Sequence, residues 1–369
     1  MLVRQYVCVF AHAAKSVMAD KTSRLQAYVE TVPGLEEVAW LEVRNRFPRA
    51  QFREFLFARD ERGIVVFDVP ARPSDLLALR TVESIFLTGA FLSNTTRGYR
   101  DLRQLREQMV ASGDFGSAVN ALSRHRRRQV RTYRLIVRTY GKQEYNRQDV
   151  RRAVIQAVEH IYPDWERVQE DPDLELWANV LGSAILIGLR LASPSSSRQP
   201  SSPGVLPASV AEALVLLSDP QRDDHFLDPF FDGGAIVAAR SVRPARLLLA
   251  GARESSELTV LPSGGSSGTA VVLWDGDRLP LPDAAVNKVA TRFPLAPVAD
   301  VTRRYATWLR EMQRVLRPGA GAVVLTRAFE QFKDAIRQAP HLEVRSGYSV
   351  TISGEWGRIY LLQRLDSSK

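Results

Sequence analysis

The chain contains 369 residues, of which 45% are hydrophobic and 25% are charged, a composition typical of globular proteins and a length sufficient for two or three domains. Its single cysteine, Cys8, excludes an intrachain disulfide and a thiolate metal cluster, and none of its five histidines lies at metal-ligand spacing from another. No apolar run approaches the roughly 20 residues that cross a bilayer. We therefore expect neither a metal site nor a membrane partner.

Residues 1–23 are predicted to form a disordered extension. The stretch YVCVFAHAA after Arg4 is similar to a short signal peptide, but His12 and Lys15 interrupt its apolar run. A translation start at Met18 is an alternative explanation for this extension. On this basis we expect a cytoplasmic protein.

Residues 24–95 are predicted to form a ferredoxin-like α+β domain. The run AYVETVPGLEEVAWLEVRNRF indicates a strand, a turn at Pro33-Gly34 and an amphipathic helix. FLFARDERGIVVFDV indicates a hairpin that turns near residues 60–63, and PSDLLALRTVESIFLTGAFL indicates a helix capped by Ser74 and a final strand. The order strand, helix, two strands, helix, strand is typical of the ferredoxin-like unit.

Residues 96–192 are predicted to form a second α/β unit. It contains a strand in YRLIVRTYG, a helix over residues 146–161 and two strands around Gly182. Asp171 and Asp173 flank Pro172 and are expected to act as turn formers. The Ser/Pro-rich residues 193–205 are predicted to be a flexible linker.

Positive charge is concentrated between Arg124 and Arg152. This segment contains eleven Lys or Arg residues and only two acidic residues, Glu144 and Asp149. The resulting net charge of +9 equals that of the whole chain, which indicates a binding surface for a polyanion. Tyr133 and Tyr140 lie among the arginines and suit the unpaired bases of RNA. A solvated basic face is the alternative. The residues predicted to contact RNA are Arg124, Arg126, Arg127, Arg128, Arg131, Arg134, Lys142, Arg147, Arg151 and Arg152.

Residues 206–369 alternate strands and helices, as in a doubly wound parallel sheet. In LDPFFDGGAIVAA a strand ends at Asp228, glycines turn the chain, and a helix follows. Asp228 would accept from a ligand ammonium group, and the N–H groups of Gly233 and Gly234 would face a carboxylate. Asp232 would repel that carboxylate, and an ordinary strand–turn–helix is the alternative.

Several passages together resemble one enzyme family. The loop at 227–239 resembles the Asp-Pro-Phe-Cys-Gly-Ser-Gly-Thr loop of DNA and RNA methyltransferases. LREMQRVLRPGAGAVVLT and DGDRLPLPDAAVNKV resemble passages of class I methyltransferases. The basic helix and the strand ending in IGLRL resemble a THUMP domain, and YVETVPGLEEVAWLEV is similar to the ferredoxin-like domain that precedes it. The combination resembles the THUMP-containing tRNA guanine-N2-methyltransferases.

This resemblance implies a Rossmann-like methyltransferase domain after the ferredoxin-like and THUMP domains, with S-adenosylmethionine as the cofactor and tRNA as the partner. It implies cofactor contacts from Asp228, Gly233 and Gly234, and it assigns Asp275 to the adenine amine. Ala250-Gly251-Ala252 stands where the family has its ribose-binding acid, so that Glu254 is the candidate substitute.

The catalytic motif departs from the family pattern. Where the family has Asn or Asp followed by Pro-Pro-Tyr or Phe, this chain has Arg292-Phe293-Pro294-Leu295. A guanidinium only donates hydrogen bonds, so Arg292 cannot accept one from a guanine amine, while Phe293 is predicted to stack on a base. Three hypotheses follow: a tRNA methyltransferase with an unusual site, a noncatalytic tRNA-binding protein on a methyltransferase scaffold, and a methyltransferase that modifies a different atom.

Overall fold

The structure is a computed structural model that describes residues 25–58, 61–192, 205–252, 269–294 and 300–366. The predicted extension at 1–23, the linker up to residue 204 and Glu254 lie outside the described residues. Within them the chain forms an eight-stranded sheet in its first half and a seven-stranded sheet in its second half.

The first part of the eight-stranded sheet has the predicted ferredoxin-like order. Its elements are β1 (Leu25–Thr31), α1 (Glu36–Arg46), β2 (Gln51–Ala58), β3 (Arg62–Val69), α2 (Pro73–Leu76) and β4 (Ser84–Leu92). These strands are antiparallel to their neighbours in the order β2-β3-β1-β4. The predicted cap of α2 was wrong: Pro73 begins the helix, because its fixed φ suits the first helical position, and Ser74 lies inside.

The same sheet continues through the region predicted to be a THUMP domain. Its elements are α3 (Tyr99–Ala111), α4 (Asp114–Arg126), β5 (Thr132–Tyr140), α5 (Arg147–Ile161), β6 (Glu166–Arg167), β7 (Leu174–Leu181) and β8 (Ala184–Ala192). The predicted helix at 146–161 is confirmed: Asn146 caps α5 by accepting from the N–H groups of Gln148 at 2.7 Å and Asp149 at 3.2 Å. Because β8 pairs with β4, the sheet runs in the order β2-β3-β1-β4-β8-β7-β5-β6.

The second half has the doubly wound fold that the sequence predicts. Its elements are α6 (Ala208–Leu217), β9 (His225–Asp228), α7 (Ala235–Ser241), β10 (Leu247–Ala252), β11 (Thr269–Leu273), β12 (Val286–Arg292), α8 (Val301–Val315), β13 (Leu316–Thr326), α9 (Phe329–Ile336), β14 (Leu342–Ile352) and β15 (Glu355–Arg364). Five parallel strands run in the order β11-β10-β9-β12-β13, and β15, antiparallel to β13, joins β14 to them. The order reverses between β9 and β12, so the topology predicts a ligand crevice at the carboxyl ends of these strands.

The turn between β1 and α1 docks on β14. Gly34 has φ +91°, and a Cβ atom there would lie 1.8 Å from the carbonyl oxygen of Ser349. The N–H of Thr351 donates to the carbonyl of Pro33 at 3.1 Å. Apolar residues of the turn and α1 pack into the same buried cluster as α6 and β14, namely Val32, Leu35, Val38, Val210, Leu214 and Ile352.

A buried carboxylate reinforces this docking. Glu212 on α6 is 1% exposed. It pairs with Arg80 of the first half and, at 2.8 Å, with Arg243 of the second half. The two halves therefore share both an apolar contact and an ion-pair network.

Candidate cofactor site and nucleic-acid surface

The fold brings the predicted cofactor residues to one edge of the seven-stranded sheet. Asp228 is the last residue of β9, Asp275 follows β11 closely, and Arg292 ends β12. Because parallel strands present their carboxyl ends at the same edge, the three residues lie at the edge of the sheet that contains the switch point. The contact of these residues with a cofactor remains a prediction.

The glycine loop forms a tight left-handed turn. Gly233 and Gly234 have φ, ψ values of 71°, 7° and 73°, 7°, which favour glycine because a Cβ atom strains this region. Gly233 is exposed, and a Cβ atom there would meet only a methyl group of Val205 at 3.8 Å. The N–H of Gly234 donates to the carbonyl of Phe231 within the turn, instead of facing a ligand carboxylate as predicted.

Phe231 packs on the end of β10, where the family has its ribose-binding acid. Its ring is 2% exposed and packs with Val237, Ala250 and Ala252. Its N–H donates to the carbonyl of Gly251 at 2.8 Å, and a Cβ atom on Gly251 would lie 2.3 Å from the carbonyl oxygen of Pro229. The loop therefore lies directly on the strand end, which has room only for small residues.

Asp228 links two strands inside the protein. It is 1% exposed, and its carboxylate accepts from the hydroxyl of Thr291 at 2.8 Å and from the N–H of Phe230 at 3.3 Å. Thr291 is the residue before the altered motif, and nothing in the sequence indicated its role. Asp228 thus has a structural part in joining β9 to β12, and its contact with a ligand ammonium remains a prediction.

Asp275, by contrast, is exposed at the crevice. Its carboxylate accepts from the N–H groups of Asp277 at 2.9 Å and Arg278 at 3.2 Å. These hydrogen bonds lower the pKa of Asp275, so the carboxylate stays charged at neutral pH. The neighbouring Trp274 donates its indole N–H to the carbonyl of Pro229 at 2.8 Å and fixes the glycine loop against β11.

The altered catalytic motif is part of an aromatic core. Phe293 is 2% exposed, with ring centroids 4.9 Å from Tyr305 and 5.3 Å from Trp308. The prediction that Phe293 stacks on a base was therefore wrong, because neighbouring rings already cover it. Pro294 follows it, and its carbonyl lies 3.5 Å from the hydroxyl of Tyr305. Arg292 is partly exposed at the end of β12.

The basic window divides into two patches at opposite ends of β5. Patch one, at the start of β5, contains Arg124, Arg126, Arg127, Arg128 and Arg131. Patch two, between the end of β5 and the start of α5, contains Lys142, Arg147, Arg151 and Arg152. A strand of this length separates them by roughly 30 Å. The window is continuous in sequence but follows the chain across the sheet, so its basic residues form two separate patches.

Several arginines of the window stabilise the fold. Arg126 donates to the backbone carbonyls of Asp173 and, at 3.0 Å, Arg190, and burial lowers its pKa. Arg128 pairs with Asp173 at 2.7 Å while remaining mostly exposed. Arg134 pairs with Glu175.

Asp173 was predicted to form a turn, but its carboxylate also accepts hydrogen bonds from the backbone. It is 8% exposed and accepts from the N–H groups of Arg131 at 2.9 Å and Thr132 at 3.0 Å. Asp171, with φ +42°, does occupy a turn conformation. Tyr133 is 2% exposed and belongs to the core. The prediction that its ring contacts an unpaired base was therefore wrong.

The remaining basic side chains are available to a partner. Arg124, Arg127 and Arg131 are exposed, and no acid in the described part of the chain pairs with them. Arg100 and Arg103 add to the positive charge of patch two. They are exposed on α3, the helix that packs beside α5. Sequence reasoning missed these two because they precede the window and join it only through helix packing.

The described residues provide neither a metal-binding cluster nor a membrane-spanning helix. Among the described residues, no group of three His, Cys, Asp or Glu side chains is placed to hold a metal ion. No helix of the described ranges has the length and apolar character needed to cross a membrane.

Comparison with known proteins identifies relatives that match more than half of the chain. No protein-family model matches the chain. The bovine tRNA (guanine(6)-N(2))-methyltransferase THUMP3 (Bos taurus) is 29% identical over 236 residues, covering 56% of this chain and 46% of that protein. A Thermus thermophilus tRNA (guanine(6)-N2)-methyltransferase is 25% identical over 250 residues, covering 63% and 73%. The chain spans about half the length of its mammalian relatives.

Solved structures agree on the fold. The crystal structure of TrmN from Thermus thermophilus matches with a TM-score of 0.69 and 22% identity, covering 92% of this chain and all of that one. A methyltransferase complexed with SAH matches with a TM-score of 0.58 and 12% identity, covering 94% and 99%. The chain therefore has the fold of TrmN, and its similarity to the THUMP-type tRNA guanine-N2-methyltransferases, predicted from sequence, is confirmed.

Proposed function

We propose that this protein binds tRNA through its two basic patches and S-adenosylmethionine at the switch-point crevice, in the cytoplasm, without methylating an exocyclic amine. The observation that carries the proposal is the set of exposed, acid-free arginines of patch one. Such a surface binds a polyanion, because the negative charges of the polyanion neutralise the positive charges of the arginines. The nature of the RNA follows from the relatives, which are named as tRNA methyltransferases.

The crevice has features that fit S-adenosylmethionine. The exposed backbone at Gly233 leaves room for a ligand, and the exposed, charged carboxylate of Asp275 would accept from the adenine amine. Glu254 is proposed for the ribose hydroxyls, because the described end of β10 offers only alanine and glycine. When bound, this cofactor supplies a methyl group on a cationic sulfur.

The target side of the crevice fits an exocyclic amine poorly. Such an amine must donate its hydrogens to acceptors so that its lone pair is free, and the Arg292 guanidinium has no acceptor. Its charge also opposes the charge that develops on an attacking amine. A second candidate function, methyl transfer to an atom that needs no acceptor, is favoured by the retained carboxylate of Asp275.

Replacing Arg124, Arg127 and Arg131 together by alanine is expected to weaken tRNA binding and to reduce the slope of log affinity against log salt by about three, because each lost phosphate contact releases one counterion fewer. Fluorescence anisotropy over a salt series measures both quantities. Removing Arg44, Arg49 and Arg72, which are exposed elsewhere in the first half, is the matched control. Equal slopes for the two triple variants would contradict the assignment of patch one.

Arg292→Asn is expected to raise methyl transfer to guanine N2 above the wild-type level, because asparagine restores an acceptor at the end of β12. Incorporation of a labelled methyl group into bulk tRNA, followed by nucleoside analysis, measures the product. Calorimetric titration with S-adenosylmethionine shows that the variant still binds the cofactor. A loss of pre-existing transfer in the variant would instead make Arg292 a participant in the reaction.

A further inference from the structure

A hairpin projects from the candidate target side of the crevice. Ser353 and Gly354, with φ values of 52° and 81°, form the tight turn between β14 and β15. In the sheet register Arg292 lies beside Leu325, which lies beside Ile359. The hairpin begins beyond Ile359 on the crevice side, so it extends past the edge at which Arg292 ends its strand.

This hairpin carries a large exposed aromatic side chain. Trp356 is 59% exposed although it lies within β15. By strand alternation it shares a face with Arg358, whose guanidinium lies 5.3 Å from the ring centroid of Tyr360. Phe329, 37% exposed, begins α9 close by, since its carbonyl lies 3.5 Å from the hydroxyl of Tyr360. We call Arg327, Phe329, Trp356 and Arg358 the hairpin platform.

The platform is held in place. Arg327, just after β13, forms an ion pair with Glu355 at the start of β15. Gly357 packs on β13, where an added Cβ atom would lie 3.4 Å from a methyl group of Leu325. The indole of Trp356 is thus presented by a fixed strand.

We propose that the hairpin platform binds an unpaired nucleobase of the RNA, with Trp356 as the stacking residue. Unpaired bases stack on aromatic rings and on guanidinium planes, and the platform offers both. Phe293 cannot supply this contact because it is buried, and Trp356 is the more exposed of the two aromatic residues of the platform. The inference rests on the proposed function, since it requires that RNA reach this edge.

Trp356→Ala is expected to weaken tRNA binding about five- to hundredfold, the range for the loss of one stacked base. The salt slope stays unchanged, because no phosphate contact is lost, and Trp356→Phe retains most of the affinity. Phe57→Ala is the matched control, since Phe57 is 60% exposed on β2. Ultraviolet cross-linking of the wild-type complex is expected to attach a nucleotide to the peptide that contains Trp356.

The outcomes separate this inference from the proposed function. Wild-type protein that binds no tRNA would overturn both. If tRNA binds normally to wild type and to Trp356→Ala alike, with no cross-link on the hairpin, only the platform proposal is overturned. A self-association measured by sedimentation that Trp356→Ala abolishes, with RNA affinity intact, would make the hairpin a contact between copies of the chain and would likewise overturn the proposal.

Discussion

Arg240→Met is expected to lower the free energy of unfolding by about 3–5 kcal/mol, the usual cost of removing one partner of a buried ion pair. Arg240 is fully buried and donates to Asp224 at 3.1 Å and to the carbonyls of Gln221 at 2.8 Å and Arg243 at 2.9 Å. Without the guanidinium, the buried carboxylate of Asp224 loses its charged partner, although the N–H of Gln221 and the side-chain amide of Asn287 still donate to it. Denaturation by urea, monitored by circular dichroism, measures the change.

The geometry provides both a control and a stricter comparison. Arg345 pairs with Glu343 at 3.0 Å on the surface, so Arg345→Met is expected to cost at most about 1 kcal/mol. Replacing Arg240 and Asp224 together is expected to cost less than the sum of the two single changes, because no unpaired charge remains. A cost below 1 kcal/mol for Arg240→Met would show that water reaches the pair.

Gly34→Ala is expected to separate the docking of the two halves from their folding. The added Cβ atom would lie 1.8 Å from the carbonyl oxygen of Ser349, at a φ of +91° that itself costs about 1–2 kcal/mol in alanine. The β1–α1 turn must then move away from β14. We expect calorimetry to resolve two thermal transitions in the variant where the wild type shows one.

Gly113 offers a matched control for this change. It also has a positive φ, +73°, but a Cβ atom there would meet nothing within 4 Å. Gly113→Ala therefore carries the backbone cost alone. If the two variants melted identically, the contact between Gly34 and Ser349 would have no part in docking.

Much of the fold follows from local sequence signals. Alternating apolar residues predict the strands of both halves, and Asn146 marks the start of α5 because its side chain caps the helix. Asp228 was predicted at the end of a strand because a glycine turn and a helix follow it, whereas Asp275 was assigned by the family resemblance. These features depend on residues that are close together in the chain.

The features that the sequence did not predict depend on distant contacts. Phe293 follows a strand end, as an exposed residue would, yet rings from α8 cover it. The basic window is continuous in sequence, but β5 carries its two ends apart. The sequence does not distinguish Arg240 from the other arginines, because its burial depends on Asp224 and on backbone carbonyls that the fold brings to it.

The pairing of β4 with β8 also determines where the chain can be divided. A fragment that stops near residue 95 would expose the length of β4 as an open strand edge, since Ile85 to Leu92 hydrogen-bond with Ile185 to Ala192. Open edges of this kind recruit strands from other molecules. Residues 25–192 are therefore the smallest unit to transplant when the first half, proposed to bind RNA, is to be fused to another protein.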